Sequence, residues 1–234
     1  MYLTIDQVVK YLGQKVHDPY GREIGTVVSI YSEVDGTVTA IEITGNISSE
    51  TIPVSRVEIT HDGLVVMPAW KADAIILEKK LDRARKRARA LEELYRKGQI
   101  PGHAYEDVKK RLDKELQFLK EQSRRVKDEL KAKINELENQ IIHIEKAMTH
   151  LIISYTAGEI PESNFKQSAD ILRLIKSKAL DEKRDVEKHL ELIEKLETEP
   201  LEPVRSIMER VQGTTAESLI PSSSGPIEVK VVNS

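Results

Sequence analysis

Apolar residues recur at every third or fourth position, without interruption, over the stretch from residue 103 to residue 157. Residues three and four apart share one face of an α-helix, so this spacing predicts one continuous amphipathic helix. The mean spacing is close to the natural helical period and longer than a strict heptad, which favours weak supercoiling. The apolar stripe runs from Tyr105 to Tyr155, and Ser123 is its one polar member.

The same motif, Tyr-x-x-Gly-x-Ile-Pro-x-x-x-aromatic, stands at each end of this helix, from Tyr95 to Tyr105 and from Tyr155 to Phe165. Glycine suits the left-handed position that ends a helix, and proline suits the first turn of the next helix. We therefore predict two tight hairpins that join three helices, at about 71–97, 103–157 and 162–197. The alternative is that each motif only interrupts one straight coiled coil.

The hairpin interpretation gives a register that can be checked. Folding the chain back at residue 100 places Ala84 opposite Leu116, and folding it back at residue 160 places Ala179 opposite Ile141. Small residues then face large ones, as close packing requires. In this register the two outer helices meet near Ser123.

Residues 1–70 change to short apolar segments of period two, separated by turn dipeptides such as Asp35-Gly36. Alternation of this kind is typical of half-buried strands, and a two-residue Asp-Gly turn is typical of a hairpin. About six strands fit between residues 13 and 67, and we expect them to form a small antiparallel β-barrel. The predicted fold class is α+β with several domains: a barrel head at 1–70, a helical coiled-coil body at 71–199 and a flexible tail.

Three segments of the head carry a resemblance to a known domain family. They are Gly13-Gln-Lys-Val16-His-Asp18-Pro-Tyr-Gly21-Arg-Glu-Ile24-Gly25-Thr-Val27, Gly36-Thr-Val38-Thr-Ala-Ile41 and Ile52-Pro53-Val-Ser55-Arg-Val57. Together they resemble the pattern of PRC barrels, over nearly the whole head. PRC barrels occur in photosynthetic reaction-centre subunits and ribosome-maturation factors as adaptor modules. The resemblance therefore implies a fold without catalysis of its own and leaves the partner open.

The tail differs in composition from the body. Residues 200–225 form a Pro/Ser-rich linker, in which apolar residues predict one or two helical turns over 203–212. The chain finishes with a β-branched segment: Pro226, Ile227, Glu228, Val229, Lys230, Val231 and Val232. One interpretation is that this segment returns to the sheet of the head or stays disordered. The other is β-augmentation, in which it adds a strand to the exposed sheet edge of a partner protein.

Head, helical body, Ser/Pro linker and terminal strand together resemble the CdvA family of archaeal cell-division proteins over the whole chain. The resemblance implies a non-enzymatic scaffold that polymerises, associates with the membrane and has been linked to DNA. It also implies that residues 226–232 bind a winged-helix-like domain of the ESCRT-III homologue CdvB. We therefore expect a cytoplasmic homo-oligomer or filament that is peripheral at the membrane of the division site. A nucleic-acid-binding adaptor is the alternative.

Composition agrees with a small head on a long helical body. Only 4% of the residues are aromatic and 32% are charged, which disfavours one large globular core. The sequence contains no cysteine, so disulfides and thiolate zinc sites are excluded. No apolar run approaches the ~20 residues of a membrane-spanning helix, and no signal-peptide pattern precedes the head, so we expect a soluble protein.

Charge is concentrated in one part of the body. Residues 1–70 contain 4 basic and 9 acidic groups, whereas residues 79–97 contain 9 and 3. Arginines four positions apart repel each other on a helix, so either acidic neighbours such as Asp113 and Glu115 or an external polyanion should compensate. DNA phosphates and anionic lipid head groups both fit. The candidate polyanion-binding residues are Arg83, Arg85, Lys86, Arg87, Arg89, Lys109, Lys110, Arg111 and Lys114.

No aromatic residue is expected among these cations, so sequence-specific reading of nucleic acid is not predicted. The sequence also lacks a Walker loop, a GxSxG elbow, a dinucleotide fingerprint and an HExxH motif, so we predict no enzyme and no catalytic residues. His143 and His150 share a side of the helix without a third ligand nearby, so no metal site and no cofactor are expected. The acidic pairs Glu92-Glu93 and Asp181-Glu182 are interpreted as solvated helix faces.

Overall fold

The computed structural model describes residues 3–45, 48–61 and 63–198. The head begins with the short helix α1 (Ile5–Val8) and a 3₁₀ turn (Val9–Tyr11). Six strands follow: β1 (Lys15–His17), β2 (Glu23–Ser32), β3 (Val38–Thr44), β4 (Ser49–Pro53), β5 (Val57–Thr60) and β6 (Gly63–Val66). They form one sheet in the order β4-β3-β2-β1-β6-β5.

This sheet is mixed and not closed, which corrects the prediction of an antiparallel barrel. β1 and β6 run parallel, with His17 opposite Val65, whereas the other neighbouring strands are antiparallel. β4 and β5 are the two outer strands, and the 3₁₀ turn Val54–Arg56 joins them without making a hairpin. Alternation shows which face of a strand is buried, but it is the same beside a parallel or an antiparallel neighbour. The sequence pattern therefore could not reveal this pairing.

The core of the head comes from alternate strand residues and from the segment around α1. On β2, for example, Val27 is fully buried while the adjacent Val28 is 49% exposed. The buried cluster consists of Leu3, Val8, Tyr11, Val16, Val27, Val38, Ile41, Ile43, Ile52, Val57, Leu64 and Val66. Burial along the strands therefore follows the period-two pattern, although that pattern did not identify the strand order.

Three helices make up the body, and their bounds lie within a few residues of the predicted ones. They are α2 (Ala69–Arg96), α3 (Gly102–Thr156) and α4 (Glu162–Thr198). α3 contains 55 residues, which corresponds to roughly 80 Å at about 1.5 Å per residue.

Both repeated motifs form tight turns and do not continue a straight coiled coil. Gly98 and Gly158 have φ angles of 66° and 76°, a left-handed conformation that glycine adopts without a steric penalty from Cβ. After α2, the N–H of Gln99 donates to the C=O of Leu94, and the N–H of Gly98 donates to the C=O three residues earlier. This is the Schellman pattern that closes a helix, and α3 ends with the same pair of hydrogen bonds around Gly158.

Aromatic stacking and core packing confirm that the helices fold back on one another. Tyr95 stacks on Tyr105 with ring centroids 4.1 Å apart, and Tyr155 stacks on Phe165 at 4.4 Å. The core of the body contains both members of the two predicted pairs, Ala84 with Leu116 and Ala179 with Ile141.

The outer helices α2 and α4 lie side by side over the middle of α3. Trp70 of α2 contacts Glu182 of α4, and Glu78 contacts His189 two turns further along. Ser123 of α3 is fully buried in this section, at the predicted meeting point. α2 and residues 102–129 of α3 form what we call the first hairpin. Residues 137–156 of α3 and 162–181 of α4 form the second hairpin.

Candidate functional site

The head is fixed to the body by the turn Asp18–Arg22, which connects β1 to β2. The carboxylate of Asp18 accepts hydrogen bonds from the N–H groups of Tyr20 at 2.9 Å and Arg22 at 2.8 Å. These bonds hold the turn in shape and direct both side chains at α4. Lys178 of α4 donates a further hydrogen bond of 2.6 Å to a backbone carbonyl of the turn. The turn Asp18–Arg22 is thus the docking element of the head.

Glu182 of α4 is the buried charge at the centre of this junction, with only 2% of its surface exposed. Its Oε2 lies 2.7 Å from the guanidinium of Arg22, close enough for an ion pair but not aligned as a hydrogen bond. Trp70 Nε1 donates to Oε1 at 3.1 Å, and Lys133 Nζ lies 3.8 Å from the same oxygen. Burial by itself would lower the pKa of Arg22. The Glu182 and Asp18 carboxylates have the larger combined effect, and they raise the pKa of Arg22 above its ordinary value. The buried carboxylate is therefore compensated by cations from the head and from α3.

Asp185, one turn further along α4, is the centre of a second ionic group. Lys71 Nζ and the Tyr20 hydroxyl both donate to its Oδ2, at 2.6 Å and 2.7 Å. Burial and the hydrogen bond to Asp185 raise the pKa of Tyr20. Burial alone would also raise the pKa of Asp185, but the hydrogen bonds from Lys71 and Tyr20 lower it below its ordinary value. Head, α2 and α4 therefore meet in one network of charges.

This junction corrects the interpretation of Asp181-Glu182 as a solvated helix face. Asp181 is exposed, but Glu182 points into the contact between the head and the body. Acidic residues are abundant on the exposed faces of α4, so composition gave no reason to single out this one. A sequence signal existed in the seam itself, because Glu182 lies three residues after Ala179 and four before Val186, both of which are buried.

The predicted polyanion-binding residues all lie on the first hairpin, but they occupy more than one side of it. On the side away from α4, a groove between α2 and α3 is lined by Asp73, Ile76, Leu77, Lys80, Gln122, Arg125, Val126 and Glu129. Arg83 and Arg87 follow Lys80 at helical spacing, and Arg111 lies fourteen residues before Arg125, which is about four turns. Five cations thus share what we call the outer face: Lys80, Arg83, Arg87, Arg111 and Arg125.

The remaining predicted cations are distributed around the rest of the first hairpin. Arg85 lies on the α4 side, beside Leu196 in a cavity of about 490 Å³. Lys110 and Lys114 are exposed on α3, and Lys114 lies beside the outer face because it is four residues before Phe118. Lys86, Arg89 and Lys109 are paired with Asp82 at 2.8 Å, Glu93 at 3.3 Å and Glu92 at 3.6 Å, respectively.

Arg83 and Arg87 make no ion pair with any residue that the structure describes. In particular, neither is paired with Asp113 or Glu115 across the hairpin, the internal partners that the sequence offered. The described residues therefore give these two arginines no internal ion pair, and an external polyanion stays the other alternative that the sequence offered.

Large apolar side chains accompany the cations of the outer face, which the sequence interpretation missed. Phe118 is 58% exposed, and it shares this face because it lies four residues before Gln122 and seven before Arg125. Ile76 of α2 is 44% exposed and lines the groove itself. The expectation that no aromatic residue stands among the cations is therefore wrong. Phe118 lies outside the apolar stripe, and its neighbours on the helix surface become visible only when each face is assigned.

The second hairpin exposes apolar side chains on two opposite sides. Ion pairs of 2.7 Å join Glu145 to Lys176 and Glu138 to Lys183 on one side. Helical spacing from these glutamates places three exposed residues of α3 on that same side: Ile142 at 48%, Ile152 at 47% and Ile153 at 58%. The opposite flank of α4 is the one on which Lys178 contacts the head, and it carries Ile171 at 52%, Leu174 at 55% and Ile175 at 40%.

The histidines do not form a metal site within the described ranges. Across residues 3–45, 48–61 and 63–198, no group of three or more His, Asp or Glu side chains is arranged to hold a metal ion. Within the same ranges, no helix is both long enough and apolar enough to cross a membrane. The predicted linker, the turns at 203–212 and the terminal segment 226–232 lie outside the described residues.

Comparison with known proteins shows which family has this arrangement of head and helices. The family model of the CdvA-like coiled-coil domain matches residues 69–214, which is more than half of the chain. The chain belongs to the CdvA family. Among its relatives, Cell division protein A of Sulfolobus acidocaldarius is 38% identical over 236 residues, and the match covers 100% of this chain and 99% of that protein. No solved structure matches the chain.

The match to the CdvA family model begins at the first residue of α2 and therefore includes the whole helical body. It also extends beyond Thr198, the last residue that the structure describes. The head and the terminal segment 226–232 lie outside this match, but the full-length match to the Sulfolobus protein includes both.

Proposed function

We propose that this chain is a non-enzymatic scaffold of cell division that assembles with further copies of itself and recruits an ESCRT-III homologue. The observation that carries the proposal is a match along the entire chain to a protein named for cell division. A match over the full length includes the head, the helical body and the terminal segment together, so it supports transfer of a role that requires all three.

Self-assembly is supported by the second hairpin. A monomer seldom exposes contiguous large apolar side chains without a partner for them. Here, six lie on two sides of one pair of helices: Ile142, Ile152, Ile153, Ile171, Leu174 and Ile175. Apolar surfaces on opposite sides allow each copy to contact two others, which is the condition for growth beyond a dimer.

Light scattering at increasing protein concentration tests self-assembly. We expect the mean mass to rise with concentration, and we expect Ile142→Lys together with Ile153→Lys to lower it. Asn139→Lys with His150→Lys adds lysines at two exposed positions with the same spacing on another side of the same helix and serves as a control of smaller effect. A monomer mass that does not change with concentration would contradict self-assembly.

Recruitment through residues 226–232 is supported by their alternation. Ile227, Val229 and Val231 share one face of an extended segment, so a partner edge strand would supply main-chain hydrogen bonds and pockets for this face. Val229→Asp should abolish binding, because burying an unpaired carboxylate costs several kcal/mol, more than a short peptide interface can lose. Lys230→Ala, on the other face, is the matched control and should have a much smaller effect.

A calorimetric titration measures this directly. A peptide of residues 220–234 is titrated into the winged-helix-like domain of a CdvB homologue, alongside the Val229→Asp and Lys230→Ala peptides. Heat from the natural and Lys230→Ala peptides but not from Val229→Asp is the expected result. Equal affinities of the natural and Val229→Asp peptides would exclude recruitment by β-augmentation.

We also propose that the assembled protein lies at the cytoplasmic side of the membrane, at the division site, as a peripheral protein. Exposed cations and Phe118 on the outer face support attraction to anionic head groups. The assay is sedimentation with anionic vesicles at rising salt concentration. Binding that is independent of salt, or equal for neutral vesicles, would argue against an electrostatic surface contact.

A nucleic-acid-binding adaptor is the second candidate function, and the unpaired cations of the outer face favour it. Contacts with phosphates would make affinity for DNA fall steeply as salt rises. Arg83→Gln, Arg87→Gln and Arg111→Gln together should then flatten that dependence, whereas Lys131→Gln and Lys188→Gln, on other exposed surfaces, should not. Strong DNA binding at physiological salt, combined with full retention of partners after deletion of 226–232, would favour the adaptor over the scaffold.

A further inference from the structure

The groove on the outer face has an apolar floor and a cationic rim, and nothing in the described chain occupies it. Ile76, Leu77 and Val126 form the floor of this cavity of about 210 Å³, while Lys80 and Arg125 line its edges. Lys80 and Arg125 make no ion pair with the residues described, as is the case for Arg83. Asp73 and Glu129 also line the groove, at the end nearest the start of α2. An occupant that is apolar at its centre and acidic at its edges would match the cationic end.

The tip of the β2–β3 hairpin in the head has this character. Val34 is as exposed as a free residue, at 107%, and Glu33 and Asp35 flank it. Ile5 and Asp6 stand beside them, because the N–H of Ile5 donates to a carbonyl of the same turn at 2.9 Å. We call these residues the acidic tip: Ile5, Asp6, Glu33, Val34 and Asp35.

Asp35 in the acidic tip is ionised at neutral pH, and the head as a whole has the opposite charge to α2. The N–H of Thr37 donates to Asp35 Oδ1 at 2.9 Å, and hydrogen bonds from Thr37 lower the pKa of Asp35. The head carries 9 acidic and 4 basic groups in residues 1–70, whereas residues 79–97 of α2 carry 9 basic and 3 acidic groups. Opposite potentials of this kind steer two surfaces together and fix their orientation.

We propose that the acidic tip of one copy docks on the outer face of the first hairpin of a second copy. The inference rests on the self-assembly proposed above and names one of its contacts. Val34 enters the groove over the apolar floor, and Asp6 and Glu33 face the rim cations Lys80, Arg83 and Arg125. Among the described residues, no ion pair joins the tip to the outer face of the same chain, and the full exposure of Val34 shows that its own chain does not cover it.

A contact between two different surfaces has a structural consequence. Each copy offers one tip and one outer face, so every docked copy leaves a free tip at one end and a free outer face at the other. Such a heterologous contact produces a ring if the rotation closes and an open filament if it does not. Because the rim of the contact is ionic and exposed, assembly should weaken as salt rises.

A charge-swap experiment on the full-length chain tests the contact. The critical concentration for assembly is measured by light scattering at low salt for four variants. The face variant carries Lys80→Glu, Arg83→Glu and Arg125→Glu, and the tip variant carries Asp6→Lys and Glu33→Lys. The swapped variant carries all five substitutions. A charge-matched control reverses three exposed lysines elsewhere on the body: Lys131→Glu, Lys146→Glu and Lys188→Glu.

The face and tip variants should each raise the critical concentration about tenfold, because several weak rim attractions become repulsions. The swapped variant should recover assembly, and so should an equimolar mixture of the face and tip variants. The charge-matched control should assemble like the natural chain. Asp35 is left unchanged because its carboxylate holds the turn, and Val34→Ser provides a second, uncharged test of the tip that should also weaken assembly.

The outcomes separate this contact from the proposed function. If the natural chain assembles and the face and tip variants assemble equally well, the docking contact is wrong and self-assembly stands. The docking contact is also wrong if single-side variants lose assembly without recovery in the swapped variant. If the face variant assembles normally but loses binding to DNA or anionic vesicles, the outer face serves a polyanion instead. A natural chain that stays monomeric would overturn both this contact and the proposed self-assembly.

Discussion

Replacing Glu182 with Gln should weaken the attachment of the head to the body and lower the stability of the chain. Glutamine keeps the size of the side chain and an oxygen that can accept from Trp70, so the main loss is the charge opposite Arg22. Removing one member of a fully buried ion pair costs about 3–5 kcal/mol. The side chain of Arg22 is 33% exposed and keeps its second partner, Asp18, at 2.5 Å. We therefore expect a smaller loss than for a fully buried pair, about 2 kcal/mol.

Thermal unfolding followed by circular dichroism measures this loss. In a chain of 150–250 residues, 1 kcal/mol corresponds to about 2–4 °C in Tm, so Glu182→Gln should lower Tm by about 4–8 °C. All samples should have one protein concentration, because assembly itself shifts the midpoint. Glu187→Gln is the matched control: this glutamate is on the same helix but exposed, 3.6 Å from Lys183, and its loss should change stability by less than about 0.5 kcal/mol.

A double-mutant cycle then shows whether the loss comes from the contact with Arg22. Arg22→Gln and Glu182→Gln should be non-additive, with a coupling energy of about 1 kcal/mol or more, because the two side chains meet directly. A Tm for Glu182→Gln equal to or above that of the natural chain would refute the role of the buried charge. Full additivity of the two substitutions would show that Glu182 acts through other neighbours.

Three further changes probe separate elements of the body. Gly158→Ala should lower the free energy of unfolding by about 1–2 kcal/mol, because Gly158 has a φ of 76°. Gly102→Ala is the control and should be neutral or slightly stabilising, because Gly102 is helical and no atom lies within 4 Å of the added Cβ. Equal effects of the two substitutions on thermal unfolding would contradict the left-handed turn. Ser123→Ala should leave Tm unchanged or raise it, because Ser123 Oγ is buried without a hydrogen-bond partner among the described residues. The hydroxyl does lie near enough to Glu197 to help lower the pKa of that carboxyl. A clear drop in Tm would reveal a hydrogen-bond partner of Ser123. Because the pKa of Asp185 is lowered in the folded chain, this carboxylate stabilises the fold above the ordinary carboxyl pKa of about 3.9, and that stabilisation is lost as pH falls through the lowered value. Below about pH 4, Tm should therefore fall less steeply in Asp185→Asn than in the natural chain. Parallel profiles of Tm against pH for the two chains would exclude this group.

The helical body was predictable because local rules determine it. Gly98 and Gly158 mark the helix ends by conformation alone, and the spacing of the stripe on α3 fixes which residues face inward. Once both turns were assigned, the register followed from counting residues. The burial of Ser123 was therefore predicted from its position, although its polarity argued for a solvated site.

The head–body junction and the outer face could not be predicted in the same way. Glu182 and Arg22 are 160 positions apart, and their contact depends on where the head docks, which no local pattern records. The parallel pairing of β1 with β6 is also a long-range property. Phe118 lies outside the apolar stripe, so its place among the cations of the outer face could be recognised only after the helices had been assembled.

The central claim, that the chain assembles and recruits an ESCRT-III homologue through its terminal strand, is tested most directly by co-sedimentation. The full chain and a chain that ends at residue 225 are each mixed with a CdvB homologue at a concentration where the full chain pellets. Both chains should pellet equally, and the homologue should pellet only with the full chain. Equal amounts of the homologue in both pellets, or a full chain that stays in the supernatant at every concentration, would contradict the account.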